Sequence, residues 1–143
     1  MQTVRVQKDF AAPPERVFAH LSENDNLGVL FAPARVEHAR DGEDGRTGVG
    51  SVRRLSFWGL LPFEETVTDV VPNERIEYEI TKGSPMRDHH GTMRFTPTGS
   101  GGTHLEYEIT FDSVVPGLAP VVAMQLRRAL AKGLARVDGT LRA

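Results

Sequence analysis

The chain has 143 residues and a formal net charge of −2, a size that suits one domain with its own core and a charge that gives no electrostatic case for nucleic acid or an anionic membrane. It contains no cysteine, which excludes disulfides, thiolate catalysis and cysteine metal sites. No apolar run approaches the roughly 20 residues needed to span a bilayer, and Met1 to Val6 lacks the apolar centre of a signal peptide. These features predict a soluble, cytoplasmic protein with residues 1–143 as a single domain, no membrane insertion and no nucleic-acid partner. The basic pairs Arg53-Arg54 and Arg127-Arg128 are short and read as solvated charge.

In chain order, Thr3 to Phe10 alternates loosely and reads as a first strand. Ala11-Ala12-Pro13-Pro14 breaks it. Pro14 and Glu15 suit the first turn of a helix, and Val17, Phe18 and Leu21 give that helix a short apolar face. Ser22 to Gly28 is dense in turn formers, so a second helix there is short. Arg35 to Arg40 is the next strand, followed by the polar turn Asp41 to Gly45. Val49 to Trp58 and Phe63 to Val71 are strands joined by Gly59-Leu60-Leu61-Pro62. Glu74 to Thr81 alternates clearly, with Ile76, Tyr78 and Ile80 on one face. Lys82 to Arg87 is a loop and His89 to Thr96 a strand. Pro97 to Gly102 is a glycine-rich hairpin turn before the last strand, Thr103 to Asp112, which carries Leu105, Tyr107, Ile109 and Phe111 on one face.

Gly117 to Leu141 is long and periodic enough for a full helix. At about 100° per residue, Val122, Leu126, Ala129, Leu130, Gly133, Leu134, Val137 and Leu141 form an apolar stripe, while Arg127, Arg128, Lys132, Arg136 and Asp138 fall on the wet side. A helix of this length spans about 30 Å and needs a comparable apolar surface. Short loops between consecutive strands imply antiparallel neighbours, and an antiparallel sheet under helices is an α+β arrangement. Gly48, Gly50 and Gly91 are candidate bend points for a sheet that curls around the helix.

Three segments carry a family resemblance: Ala12-Pro13-Pro14-Glu15-Arg16-Val17-Phe18 at the start, Glu65 to Tyr78 in the middle, and Gly101-Gly102-Thr103-His104-Leu105-Glu106-Tyr107 near the end. In this order and spacing, with the terminal helix, they resemble the START-like or SRPBCC superfamily, and within it the polyketide cyclase/dehydrase-like branch. The resemblance implies a helix-grip fold: a curved antiparallel sheet of about seven strands, two short helices after strand 1, and a long C-terminal helix over a hydrophobic cavity. It implies no single activity, since members include lipid carriers, aromatase/cyclases and co-chaperone-like regulators. It also allows a homodimer.

Strand alternation selects the side chains that face such a cavity: Arg53, Leu55, Phe57, Glu65, Val67, Tyr78, Ile80, His89, Met93, Phe95, Leu105, Tyr107 and Ile109, with Leu126 and Leu130 from the helix. A mostly apolar pocket with a few convergent polar groups is the usual form of a small-molecule site. Glu65 is the sharpest candidate for acid or base chemistry; the alternatives are solvent exposure or an ion pair with Arg53 or Arg54. His89 is a second candidate base or hydrogen-bond partner. His89 and His90 point to opposite faces of a strand, so they cannot share a metal, and no zinc spacing occurs. Tyr78 and Tyr107 can donate hydroxyls to a ligand carbonyl or sit in the core. His20, His38 and His104 read as surface or edge residues. Met124 and Trp58 are placed near the cavity mouth, Trp58 beside a connection that can act as a flap. Three functions follow: a carrier of a small apolar molecule (lipid, aromatic metabolite or polyketide), a cyclase/dehydratase with Glu65 or His89 as base, or a regulatory module that uses its surface. No cofactor is implied.

Overall fold

The computed structural model describes residues 1–57 and 59–142, without the side chains of Leu60 and Leu61. The chain runs β1 (Gln2–Phe10), α1 (Pro14–Ser22), a short 3-10 helix (Asn24–Val29), β2 (Arg35–Arg40), β3 (Val52–Phe57), β4 (Leu60–Val71), β5 (Arg75–Lys82), β6 (Met86–Pro97), β7 (Thr103–Ser113) and α2 (Leu118–Arg142). All seven strands form one antiparallel sheet in the order β1-β7-β6-β5-β4-β3-β2. β2 to β7 follow each other as hairpin neighbours, and β1 closes onto β7. The result is an α+β helix-grip arrangement with α2 across one face.

The boundaries differ from the sequence expectations where turns compete with strands. Gly48 to Ser51 belongs to the turn before β3, held by Glu43 N–H to the Val49 carbonyl and Ser51 N–H to the Gly48 carbonyl. Leu60 to Pro62, expected as a connection, are the first residues of β4, with Leu60 opposite Phe57. Trp58, assigned with them to a flap, lies outside the described residues. Met86 and Arg87, expected in a loop, begin β6.

Period-two burial marks the covered face of the sheet. Leu105, Tyr107, Ile109 and Phe111 of β7, Met93 and Phe95 of β6, and Ile76 and Tyr78 of β5 are all buried. Gly91 is the contact that lets this layer close. A Cβ there would stand 2.3 Å from Cζ of Tyr78, so the missing side chain gives the tyrosine ring its space.

Helix α2 does not meet the sheet evenly. Leu130, Leu134 and Val137 in its second half are fully buried, each worth about 1.5–3 kcal/mol of apolar burial. Val122, Leu126 and Ala129 in its first half are half-buried. The tight end is set by Gly133, whose absent Cβ would come 2.4 Å from the Val29 carbonyl oxygen and 2.8 Å from Leu30 Cα. Asp138, read as a wet-side residue, is instead 8% exposed. Its Oδ1 accepts from the Ala11 N–H at 3.2 Å and its Oδ2 from Arg142 Nε at 3.0 Å. A polar group was not expected on the apolar side, but this one ties the end of β1 to the helix. Burial pushes its pKa up, and the bonds from Arg142 and Ala11 outweigh that and hold it below the ordinary carboxylate value.

Gly133→Ala is expected to destabilise the protein by about 2 kcal/mol or more, because backbone and not a flexible side chain meets the new methyl. Gly139→Ala, on the exposed side of α2 with nothing within 4 Å of the new atom, should be neutral or stabilise by up to about 1 kcal/mol. Urea denaturation of both variants checks the contrast. Asp138→Ala is expected to cost about 1–2 kcal/mol at pH 7. Because the folded-state pKa is depressed, that contribution is present above the ordinary carboxylate pKa of about 3.9 and is lost as pH falls through the folded value. The stability gap to the wild type should therefore close in acid, and a pH-independent gap would contradict the assignment.

Candidate active or ligand-binding cavity

Where α2 and the sheet diverge, they leave a cavity of about 420 Å³. Its floor is Leu55 and Phe57 of β3, Phe63 of β4, Ile80 of β5, and Ile109 and Phe111 of β7. Its roof is Val121, Val122, Leu126 and Ala129 of α2. Phe31 to Ala34 form one side, and Gly83 to Met86 form the rim opposite. The half-burial of Val122 and Leu126 follows directly: they face a void and not packed neighbours. Among the described residues, four polar side chains reach the wall: Glu65, His89, Ser84 and Gln125. Ser84 and Gln125 lie toward the outside, whereas the Glu65 and His89 side chains are only 4% and 7% exposed.

Cross-strand register sets the polar corner. Arg53 on β3 stands opposite Glu65 on β4, and Arg54 stands opposite Glu64 on the other face. The inner pair is buried, with Arg53 Nε donating to Glu65 Oε1 at 2.7 Å. The outer pair meets at 3.1 Å with Arg54 more than half exposed. Arg53 was expected in solvent as part of a basic pair and also on the cavity wall; it occupies neither place. Its guanidinium lies over the Tyr78 ring, 4.3 Å from the centroid, beneath the cavity floor. Burial opposes its charge, and Glu65, with Tyr78 and Tyr107 beside it, more than offsets this and raises its pKa. The cation–π contact adds on the order of 1–2 kcal/mol when desolvated. The Tyr78 and Tyr107 hydroxyls bond to each other in the core, and burial pushes both phenols above their ordinary pKa.

His89 reaches the cavity through a bulge. The β6–β7 register slips between Arg87 and His90, and Asp88 takes φ 53°. The extra residue explains why Met86 and His89, three apart, both line the cavity. His90 points to the opposite face, where Nε2 meets Glu77 at 2.8 Å. The Ile80 backbone N–H donates to Nδ1 of His89 at 3.0 Å. Nδ1 is therefore an acceptor, and the neutral ring carries its proton on Nε2. Burial lowers the His89 pKa, partly opposed by the Glu65 charge, in keeping with a neutral ring. Nε2 lies 3.9 Å from Glu65 Oε2, too far for a direct hydrogen bond.

Of the residues selected from alternation, the cavity wall holds Leu55, Phe57, Glu65, Ile80, His89, Ile109 and Leu126. Arg53, Val67, Tyr78, Met93, Phe95, Leu105, Tyr107 and Leu130 point the same way but are packed into the core away from the wall. Alternation reports a face, and the tight end of α2 covers half of that face completely. The sequence reading left out of the site Phe31 to Ala34 and Gly83 to Met86, which are irregular segments or lie just before a bulge and so carry no readable period. It also left out Phe63, Phe111, Val121, Val122, Gln125 and Ala129, although Phe111 lies on the inward face of its strand and Val122 and Ala129 on the apolar stripe of α2. Met124 is 51% exposed and outside the wall. Among the described residues, no cluster of His, Asp and Glu is placed to hold a metal ion.

Comparison with known proteins agrees with this architecture. A START superfamily protein from Mycobacterium smegmatis superposes with a TM-score of 0.78 at 18% identity, over 97% of this chain and 98% of that one. A protein from Thermus thermophilus gives 0.74 at 21% identity, over 99% and 100%. The Aha1 dimer from Colwellia psychrerythraea gives 0.69 at 15% identity, over 96% and 94%. At these identities the likeness establishes the fold alone. No curated protein sequence matches the chain significantly. The model of a family described as polyketide cyclase / dehydrase and lipid transport matches residues 1–142, and with the helix-grip sheet, the long terminal helix and the cavity between them, the chain belongs to that family within the START-like superfamily.

Proposed function

We propose that the protein binds a small, largely apolar molecule between α2 and the sheet. The observation that carries this reading is the cavity itself: about 420 Å³, with walls that are apolar except for Glu65, His89 and two outer polar groups. Its size falls in the usual range for small-molecule sites. A ligand that buries on the order of 200 Å² of apolar surface gains about 5 kcal/mol before the cost of immobilisation. A lipid chain, an aromatic metabolite or a polyketide fragment suits such walls, and the description of the family supports the same range.

Cyclase or dehydratase chemistry is the second reading, and it rests on the presence of Glu65 and His89 at the wall. The geometry favours it less. One Glu65 oxygen is engaged by Arg53, and the lone pair of His89 is engaged by the Ile80 N–H. In this arrangement the imidazole offers the cavity a donor and not a base. The cavity also argues against a module that uses its surface alone. The described helices include none long and apolar enough to cross a membrane, so a ligand drawn from a bilayer would be taken up at the membrane surface. Assembly as a homodimer remains a proposal, supported by likeness to a structure described as a dimer.

Ala129→Trp tests the reading, since residue 129 is a half-buried position on the cavity roof. The indole should occupy the void and lower affinity for the neutral probe N-phenyl-1-naphthylamine at least tenfold, with the thermal midpoint close to that of the wild type. Unchanged probe affinity in a folded variant would place binding elsewhere and remove the basis of the proposal. Fluorescence titration together with a thermal melt measures both quantities.

A further inference from the structure

Building on the apolar-ligand reading, we infer that the polar corner of the cavity, His89 Nε2–H beside Glu65 Oε2, receives a neutral hydroxyl group, so that the ligand is an alcohol or phenol on an apolar frame. Three observations converge on this. Both side chains are more than nine-tenths buried and both line the cavity. Each has one polar atom committed to the protein: Glu65 Oε1 to Arg53, and His89 Nδ1 to the Ile80 N–H. The remaining two atoms, 3.9 Å apart, are too distant to bond to each other.

The committed atoms fix what the free ones can do. With Nδ1 accepting, Nε2 is a donor; Oε2, as a carboxylate oxygen, is an acceptor. An oxygen about 2.8 Å from both bridges the 3.9 Å gap with an angle of about 90° at that oxygen. It must accept one hydrogen bond and donate another, which a hydroxyl does. A ketone satisfies His89 and leaves Glu65 without a donor. An ammonium satisfies Glu65 and sets an N–H against that of His89. A carboxylate meets the Glu65 charge, and Arg53, whose Nε is held by Glu65 Oε1 and whose Nη2 is buried without a partner, does not line the cavity to offset it. Buried polar groups left unpaired make such a site selective, because the wrong ligand leaves them unsatisfied.

Isothermal titration of the wild type with 2-naphthol and with 2-methylnaphthalene, nearly equal in shape, reads the corner directly. The hydroxyl compound is expected to bind at least tenfold more tightly. In Glu65→Gln the Arg53 Nε–H holds the amide oxygen, which turns the amide NH2 toward His89 and gives the corner two donors. The variant should lose the naphthol preference, to within about threefold of the methyl compound, and should gain affinity for 2-acetylnaphthalene, whose carbonyl accepts twice. Should Glu65→Gln fail to fold, His89→Met carries the same test, because it removes the donor and leaves the Arg53–Glu65 pair intact; its naphthol preference should also collapse. Equal binding of the two compounds to the wild type overturns the hydroxyl assignment and leaves the apolar-cavity reading standing. Binding of neither overturns both. A naphthol preference that survives in a folded Glu65→Gln or His89→Met places hydroxyl recognition outside this corner and overturns the assignment.

Discussion

Two full charges face the apolar side of this sheet, and much of the cavity's character follows from how they are neutralised. Transfer of an arginine and a glutamate out of water costs several kcal/mol for each ion, and their attraction repays it only with good geometry and further partners. Here the register of β3 on β4 sets Nε and Oε1 at 2.7 Å, and the Tyr78 ring covers the guanidinium. The ring can lie there because Gly91 on the neighbouring strand has no side chain. One glycine, one tyrosine and one cross-strand pair therefore form a unit. Its product is a carboxylate with a single free oxygen at the edge of an otherwise apolar space.

That space exists because α2 is held at one end. Gly133 lets the helix backbone approach the Val29–Leu30 segment closely, and Asp138 fastens the same end to the turn after β1. Leu130, Leu134 and Val137 fill the interface there. Toward Val122 the helix lies over Phe31 to Ala34 and the Gly83 to Met86 rim, and the side chains between them do not fill the gap. Packed interiors normally leave few voids larger than a water molecule. A void of this size beside two buried, half-committed polar groups is a place where a ligand would complete the structure.

Much of the fold was legible in the residues. The period-two pattern of Ile76, Tyr78 and Ile80 and of Leu105 to Phe111, the 3.6-residue pattern of α2, and hairpin-length loops together specify an antiparallel sheet under a long helix. These signals are local and repeat along each element, so one sequence carries them. Less of the site was legible. Glu65 and His89 were singled out by facing alone. The same rule also selected Tyr78, Met93 and Leu130, which share their face but lie in solid core. Met86 was lost because the start of β6, before the bulge at Asp88, was read as a loop, and Phe31 to Ala34 because irregular backbone has no period to read.

The sequence by itself determined the inward face of each regular strand, that a long amphipathic helix must cover it, and that few polar groups lie on it. Those properties depend on residue type and spacing. Tertiary structure decided where helix and sheet touch and where they part, which of Arg53 and Arg54 is buried against Glu65, and which nitrogen of His89 carries its proton. These depend on registers between strands distant in sequence, on the close approach permitted at Gly91 and Gly133, and on one backbone N–H at Ile80, and spacing along a single chain encodes none of them.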